Sequence, residues 1–429
     1  MDVDTRYGRG QLTVRFPDEL ELLPVRKRPM PRLKDPVLQL REAFRSSSSC
    51  RPLRQLARTR RTACILICDI TRPVPDGVLL PPLIEELVAG GIAKENILIL
   101  VATGLHRPNE GDELLEVVGS DTILRSVPVA NHFACDREAH VDLGRTTSGI
   151  PILIDRRFVE ADLRVVVGLV EPHFMAGYSG GRKLVVSGVA HCDTILRLHA
   201  GGIISDVRAA NCVIDGNPVH GEQLDMIRAV GEILALNVIV DEHRQIDFLN
   251  FGEVKASHAE AVAFMRLCAE VPLPRRFQTV VTSAAGYPLD RTFYQTIKGI
   301  VGALDILEPG GTIIIASECS EGMGSPAFVA AQRLLRRLGP DALMADVLGR
   351  DLARIDEWQT QMLAKALRQG SIELCSTGLR PADMADTCVT PVSSVEQAVR
   401  ESVHTHRDAH VAVIPEGPYV IPMYQRRSS

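Results

Sequence analysis

Short, continuous runs of apolar residues alternate along the first half of the chain with longer segments in which apolar residues recur at helical spacing. We predict that the runs form buried strands, namely ACILICDIT (63–71), NILILVATG (96–104) and LRVVVGLV (163–170). The segments around them predict helices over 77–91, 110–119, 189–199 and 219–235. Strands that are apolar throughout and alternate with helices are typical of a mostly parallel sheet covered on both faces.

The pattern continues through a predicted hairpin over 234–253 and a helix over 256–271, and is then interrupted by PLPRRF (272–277). It restarts with strands over 278–286, 310–317 and 372–377, a helix over 292–307 and a strand pair over 410–423. We therefore predict an α/β fold of two α/β domains, with the first at 1–271, a linker at 272–277 and the second at 278–410. Residues 411–429 are predicted to pack back on one of the two domains, with the N-terminal domain as our assignment.

Length, composition and charge narrow the class of protein. A chain of 429 residues is too long for one ordinary core, which supports two domains. Aromatic residues make up 4% and the net charge is −5, which argues against a nucleic-acid partner. The serine- and arginine-rich segment 41–62 is either a nucleic-acid patch or a solvated helix–loop–helix, and leucines at helical spacing favour the second.

The same properties bear on location. No apolar run reaches membrane-spanning length, and the charged first residues do not resemble a signal peptide. The ten cysteines are scattered and contain no C-x-x-C pair, which is typical of reduced thiols. We expect a cytoplasmic protein with no membrane partner.

Polar residues follow the ends of the predicted strands, where ligands of open parallel sheets bind. After the first three strands they are Asp69, Thr71 and Arg72, then Thr103, Gly104 and His106, then His173 and Lys183. In the second domain, Tyr294, Gln295 and Lys298 lie near a helix start. Tyr294 and Lys298 are four residues apart and therefore share a helix face, although Gln295 and Lys298 alone would be interpreted as solvated.

Several of these residues also have a purely structural interpretation. Asp69 can cap the following turn, and His106 is as readily structural as catalytic when taken alone. His199 alone would be a surface histidine on a helical stretch. His404, His406 and His410 are spaced closely enough to suggest a metal, but a solvated helix end is the favoured interpretation.

The segment EPHFMAGYSGGRK (171–183) places three glycines and two cations directly after a buried strand. Glycines let backbone N–H groups approach an anion, and Arg182 and Lys183 supply countercharge, so the loop predicts a phosphate-bearing ligand. It is not a Walker A loop, because Arg182 precedes the lysine and Leu184 follows it. The sequence also has no G-x-G-x-x-G after the first strand and no H-E-x-x-H.

Five of these features occur together and in order in one known family. They are DITRP (69–73), TGLHRP (103–108), EPHFMAGYSGGRK (171–183), His199 and YQTIKG (294–299). Together they resemble the nickel-pincer-dependent lactate racemases and related 2-hydroxy acid racemases and epimerases, over nearly the whole chain. The resemblance implies an active site in the cleft between two α/β domains, with cofactor residues in the first domain and substrate residues in the second.

The resemblance also implies a cofactor, Ni(II) held in a pyridinium-3,5-bisthiocarboxylate mononucleotide. Lys183 matches the lysine that binds this nickel pincer covalently, and His199 matches the histidine that completes the nickel coordination. The implied cofactor contacts are Asp69, Thr71 and Arg72, the catalytic pair is His106 and His173, and the substrate contacts are Arg72, Tyr294, Gln295 and Lys298. Trp358 falls in a further segment similar to the family.

The implied chemistry suits these residue types. In the family, the α-hydrogen of a 2-hydroxy acid leaves as hydride to a carbon of the pincer ring, which avoids a carbanion beside a carboxylate. A base takes the hydroxyl proton, and two enantiomers call for two bases, a role that histidines perform near neutral pH. Arg72 and Lys298 suit the substrate carboxylate, and the phosphate of the mononucleotide gives the glycine loop its anion.

Two positions depart from the family pattern, and two other functions stay open. The family pattern has Pro-Gly after the cofactor loop and asparagine before the metal histidine, whereas this chain has Ser187-Gly188 and Leu198. Both departures affect residues around the ligands and therefore bear on substrate choice. The alternatives are a lyase or hydrolase that uses a metal or phosphate ligand without the pincer, and a non-catalytic carrier of the nickel cofactor. We expect the partners to be a small 2-hydroxy acid and the proteins that make the cofactor.

Overall fold

A computed structural model describes residues 1–241 and 243–425. The strands are β1 (Asp2–Tyr7), β2 (Gly10–Arg15), β3 (Glu21–Pro24), β4 (Ala63–Cys68), β5 (Ile97–Ala102), β6 (Val129–Asn131), β7 (His140–Arg145), β8 (Pro151–Asp155), β9 (Leu163–Leu169), β10 (Pro172–His173), β11 (Gly177–Tyr178), β12 (Leu234–Val240), β13 (Ile246–Glu253), β14 (Glu270–Leu273), β15 (Phe277–Ser283), β16 (Leu307–Ala316), β17 (Ser371–Cys375), β18 (Thr390–Val392), β19 (His410–Ile414) and β20 (Ile421–Tyr424).

The helices are α1 (Pro36–Arg45), α2 (Leu53–Ala57), α3 (Asp76–Ala89), α4 (Asp112–Val118), α5 (Asp121–Ser126), α6 (Arg156–Val159), α7 (Cys192–Leu198), α8 (Gly201–Ile204), α9 (Pro218–Val230), α10 (Val254–Ala269), α11 (Phe293–Gly302), α12 (Pro326–Leu338), α13 (Pro340–Leu348), α14 (Glu357–Gln369), α15 (Pro381–Asp386) and α16 (Val395–His406). A π-helical turn at Leu184–Gly188 precedes α7. Within the described residues, no helix combines the length and the apolar character that crossing a bilayer requires.

The chain divides into two compact units. The unit that we call N-terminal comprises Pro29–Leu198 and Val213–Leu267. The unit that we call C-terminal comprises Met1–Arg28, His199–Cys212 and the chain from Cys268 onward. The first 28 residues therefore lie with the C-terminal unit rather than in the N-terminal domain that the sequence predicted.

The N-terminal unit is built on a six-stranded sheet in the order β13-β12-β9-β4-β5-β6. All neighbours are parallel except β12 and β13, which form the predicted hairpin; Glu242, in its predicted turn, lies outside the described residues. Every residue of β4 is buried, as a central strand covered on both faces requires. The carboxyl ends of β9, β4 and β5 are adjacent, which brings the loops that follow them to one edge of the sheet.

The C-terminal unit has a second six-stranded sheet, in the order β18-β17-β16-β15-β19-β3, with all neighbours parallel. Predicted strands 278–286, 310–317 and 372–377 are present as β15, β16 and β17. The mostly parallel α/β class inferred from the sequence is thus confirmed in both sheets.

Three boundaries differ from those predicted, and each difference comes from pairing between distant segments. Strand β3 adds to the edge of β19, and Val3, Val14 and Phe16 pack into the core beneath that sheet. The predicted linker is partly strand, since β14 pairs in parallel with β20. The predicted terminal strand pair is therefore split between two sheets, and both strands belong to the C-terminal unit rather than to the N-terminal domain to which we assigned them. Residues 426–429 of that segment lie outside the described residues.

Candidate active site

A cavity of about 110 Å³ lies in the N-terminal unit where β9, β4 and β5 end. The polar side chains that line it include Asp69, Thr71, Arg72, His106, Lys183 and Ser187. The first five are residues that the strand-end pattern selected. Ser187 was noted only as a departure from the family pattern, and its buried Oγ has no hydrogen-bond partner within residues 1–241 and 243–425.

A carboxylate orients the histidine of this cavity. Asp69 Oδ2 lies 2.6 Å from His106 Nδ1, while Asp69 Oδ1 accepts hydrogen bonds from the Thr71 hydroxyl at 2.6 Å and the Thr71 backbone N–H at 3.2 Å. Burial alone would raise the pKa of Asp69, but the hydrogen bonds from His106 and Thr71 outweigh burial, and the pKa is lowered. An ionised Asp69 holds the hydrogen of the imidazole on Nδ1, which leaves the lone pair of Nε2 as a base. Asp69 thus both caps its turn and positions His106.

A second charged pair lies beside the first. Arg72 Nη1 donates to Glu171 Oε1 in a short ion pair, and both side chains are largely buried. Arg72 keeps a fixed cation in the cavity, and the planar guanidinium can also bind a carboxylate of a ligand. No role of Glu171 was predicted from the sequence, in which it is only the first residue of the segment 171–183. The available signal was an acidic residue at the end of a buried strand.

Lys183 is half-buried on the cavity wall. Burial and, to a smaller extent, the positive charge of Arg72 lower the pKa of its amine to about 8, against the opposing effects of Cys68, Glu171 and Asp69. The amine is therefore neutral in a large fraction of molecules near pH 8. A neutral amine in a cavity can act as a nucleophile, which is what a covalent anchor requires.

His173 lies on the short hairpin of β10 and β11 and does not belong to the cavity lining. Its Nδ1 accepts the backbone N–H of Met175 at 3.3 Å and of Ala176 at 3.1 Å, and its ring stacks on Phe174. A nitrogen that accepts two N–H groups carries no hydrogen, so the neutral ring has its hydrogen on Nε2. His106 and His173 are consequently held in opposite tautomers.

The glycine loop does not have the arrangement that its sequence suggested. Arg182 is 2% exposed, and its Nη2 donates to the carbonyl oxygens of Ala176 and Tyr178 at 3.1 and 3.2 Å. The prediction that Arg182 supplies countercharge to a phosphate beside Lys183 is therefore wrong, because Arg182 does not line that cavity. Two of the three glycines, Gly177 and Gly180, allow close packing. A Cβ on Gly177, where φ is +77°, would lie 2.1 Å from the Val213 carbonyl oxygen.

The remaining predicted residues lie in the C-terminal unit. The His199 ring centroid lies 4.6 Å from that of Trp358, and Trp358 Nε1 donates to the Tyr294 hydroxyl at 3.1 Å. The Gln295 backbone N–H is capped by Thr292 at the start of α11, one turn before Lys298. The structure thus brings together His199, Trp358 and Tyr294 as one cluster.

The three histidines discounted as metal ligands have ordinary surroundings. His404 and His406 lie in the last turn of α16, and His406 Nε2 lies 3.1 Å from the Thr312 hydroxyl. His410 Nδ1 lies 2.7 Å from Asp408. His404 and His406 thus lie at a helix end, as the favoured interpretation had it, whereas His410 is the first residue of β19.

The fold and the cavity together define a class of protein. Parallel α/β sheets with a carboxylate-oriented imidazole, a fixed guanidinium and a lysine of lowered pKa at adjacent strand ends are the parts of an enzyme. The family model of the lactate racemase N-terminal domain matches residues 7–211, and that of the lactate racemase C-terminal domain matches residues 274–422. The chain belongs to the lactate racemase family, and it is an isomerase of the racemase type.

Individual relatives agree with this assignment. A lactate racemase from Thermoanaerobacterium thermosaccharolyticum is 30% identical over 427 residues, which cover 98% of this chain and 99% of the relative. A lactate racemase from Lactiplantibacillus plantarum is 30% identical over 373 residues, covering 86% and 87%.

Two solved structures are similar. The structure of the lactate racemase apoprotein from T. thermosaccharolyticum matches with a TM-score of 0.90 at 28% identity, covering 98% of this chain and all of that one. A crystal structure of a protein from Thermotoga maritima matches with a TM-score of 0.64 at 17% identity, covering 87% of this chain and 98% of that one, and supports the fold alone.

Proposed function

We propose that this racemase interconverts the enantiomers of a small 2-hydroxy acid and uses a nickel-pincer mononucleotide that is bound covalently to Lys183. The observation that carries the proposal is the single cavity in which His106, oriented by Asp69, faces the same space as Arg72 and Lys183. A base for a hydroxyl proton, a cation for a carboxylate and an amine for a covalent cofactor are thereby gathered at one edge of one sheet.

The residues of the cavity fit the end of the cofactor that bonds to lysine. The lowered pKa of Lys183 suits amide-type bond formation, and the unpartnered Ser187 Oγ is a polar atom available to a ligand. At about 110 Å³ the cavity is smaller than the roughly 300 Å³ or more that encloses a whole drug-sized ligand, so it accommodates part of a mononucleotide. His199, packed on Trp358, is the imidazole that we assign to nickel, a ligand type suited to this metal.

When bound, the pincer supplies a carbon that accepts the α-hydrogen as hydride. The residues of the chain then have distinct tasks. Arg72 binds the substrate carboxylate, in exchange for part of its contact with Glu171. His106 Nε2 takes the hydroxyl proton, and Asp69 stabilises the imidazolium that forms.

We assign the second acid/base role in the inversion to His173. It acts as the acid for the opposite enantiomer: Nδ1 takes a proton in place of the backbone N–H groups of Met175 and Ala176, and the resulting imidazolium gives its Nε2 proton to the substrate oxygen. We assign the remaining substrate contacts to Tyr294, Gln295 and Lys298 on α11.

Intact-mass analysis tests the proposal. The chain is produced together with the proteins that make the cofactor, and the mass of the peptide that contains Lys183 is compared with that from a Lys183→Arg variant. We expect a nickel-containing adduct on Lys183 and inversion of at least one acid in a panel of 2-hydroxy acids. An adduct without inversion would instead support the cofactor carrier, and inversion by unmodified, nickel-free protein would support a pincer-independent enzyme.

A further inference from the structure

A second cavity of about 260 Å³ lies in the N-terminal unit between α9 and α10. We call it the α9–α10 groove. It shares no lining residue with the cavity of Asp69, His106 and Lys183, which we call the catalytic cavity. Its titratable lining residues are all basic, namely Arg182, His220, Lys255, His258 and Arg266. The rest of its lining is aliphatic and includes Leu224, Ile227 and Val262. The groove therefore combines positive charge with an apolar wall.

Arg182 is a buried cation, and no carboxylate within residues 1–241 and 243–425 pairs with it. Its Nη1 lies 2.8 Å from His258 Nε2 and its Nη2 donates to two carbonyl oxygens, while its Nε has no hydrogen-bond partner in the part of the chain that the structure describes. Burial lowers the pKa of Arg182 to about 9. A buried charge without a counter-ion is costly, and an unpartnered buried proton donor on a residue that lines a groove favours an acceptor there.

His220, on α9, is a second basic side chain of the groove with an unsatisfied buried nitrogen. Its buried Nδ1 has no hydrogen-bond partner within the described residues. Burial lowers the pKa of His220 to about 3, and the positive charges of Arg182 and Lys255 act in the same direction. His220 is therefore neutral beside the two cations Arg182 and Lys255, and an anion in the groove would be attracted by both cations and could accept a hydrogen bond from the unpartnered His220 nitrogen in its N–H form.

We propose that the α9–α10 groove binds a small organic anion, specifically a monocarboxylate with a short aliphatic chain. The carboxylate accepts hydrogen bonds from Arg182 and His220 and lies near Lys255, and the chain packs along Leu224 and Val262. The volume of about 260 Å³ lies just below the range for drug-sized ligands and suits such a molecule.

This site is connected to the catalytic loop through the backbone. His258 Nε2 lies 2.8 Å from the carbonyl oxygen of Ser179, and Ser179 also lines the catalytic cavity. Arg182 directly precedes Lys183. A bound anion therefore holds the loop that carries the catalytic lysine, and the groove is a separate binding site whose existence does not depend on the nickel cofactor.

Equilibrium dialysis of radiolabelled hexanoate against the full chain tests the proposal. We expect saturable binding at one site, with hexanamide and acetate each weaker by about tenfold or more, because one lacks the charge and the other the chain. Lys255→Gln is expected to weaken hexanoate binding severalfold. Ala259→Glu, on the exposed face of α10, is expected to abolish binding by supplying a carboxylate within the groove.

Matched controls separate this result from general charge effects. Lys94→Gln and Ala345→Glu make the same changes at exposed positions outside the groove and are expected to leave binding unchanged. Arg72→Ala removes a cation of the catalytic cavity and is expected to retain binding. Loss of binding in Arg72→Ala with retention in Lys255→Gln would place the ligand in the catalytic cavity and overturn the proposal. Absence of saturable hexanoate binding, or preference for inorganic phosphate, would also overturn it.

Discussion

The carboxylate of Asp69 lies 2.6 Å from Nδ1 of His106, although the two residues follow different strands and are 37 positions apart in the chain. The pair exists because β4 and β5 are parallel neighbours in register, so the loops after them begin side by side. This relationship gives His106 one defined tautomer. It is the basis for assigning His106 as the base for the hydroxyl proton.

Replacing the carboxylate tests that assignment. In Asp69→Asn the amide no longer selects the Nδ1–H tautomer and cannot stabilise an imidazolium, so we expect kcat to fall by about 100-fold or more. The measurement is the initial rate of inversion at equal occupancy of the Lys183 adduct. A variant that keeps the wild-type rate would show that His106 does not depend on Asp69.

His173 can be tested with a side chain that preserves its backbone contacts. In His173→Asn the amide oxygen can accept the N–H groups of Met175 and Ala176, so the hairpin and the thermal midpoint should persist. The amide cannot exchange a proton near neutral pH, and we expect inversion to fall by about 100-fold or more. Full activity in this variant would reduce His173 to a structural role.

The lysine has a testable pH dependence. The pKa of Lys183 is about 8 instead of the ordinary 10.5, so its neutral amine accumulates as pH rises through 8. The protein is treated with a small reagent that acetylates amines, and acetylation of Lys183 is followed by peptide mass analysis. We expect the rate to be half-maximal near pH 8.

The same shift affects stability in a defined direction. Between pH 8 and 10.5 the unfolded chain holds a proton on this amine that the folded chain has lost, so this group makes folding more favourable as pH rises through that interval. An acetylation midpoint above pH 10 would contradict the lowered pKa.

The glycine loop predicts a contrast between two alanine substitutions. Gly177→Ala introduces a strained positive φ and a contact of 2.1 Å, so we expect the free energy of unfolding to fall by about 2 kcal/mol or more. Gly221→Ala lies in the exposed interior of α9 with open space around it and should raise the free energy of unfolding by up to about 1 kcal/mol. Urea unfolding of both variants measures the difference, and equal values would contradict the packing role.

The sequence predicted the features that depend on local pattern. The apolar runs of β4, β5 and β9 identified three adjacent parallel strands, and their polar ends identified five residues of the catalytic cavity. Pairing between distant segments could not be predicted in this way. Nothing near β3 indicates that it joins β19, whose paired residues are 389 positions away (Glu21 with His410), because an edge strand is completed by its partner rather than by its own periodicity.

The direction of individual side chains also could not be predicted from the sequence. Arg182 and Lys183 are adjacent and both cationic, yet they line different cavities, since consecutive side chains of a tight turn point apart. The ion pair of Arg72 with Glu171 spans 99 positions and depends on β4 lying beside β9. Side-chain direction and long-range ion pairs can be determined only from the three-dimensional structure, whereas the residues at each strand end can be identified from the sequence.

The central claim is that inversion requires the cofactor on Lys183 together with the base at His106. The most direct measurement follows the inversion of a single enantiomer by protein fractions that differ only in the occupancy of the Lys183 adduct. We predict a rate proportional to adduct occupancy, reaching an equal mixture of enantiomers, and no inversion by His106→Ala at matched occupancy. Inversion by fractions with unmodified Lys183 and no nickel would contradict the account.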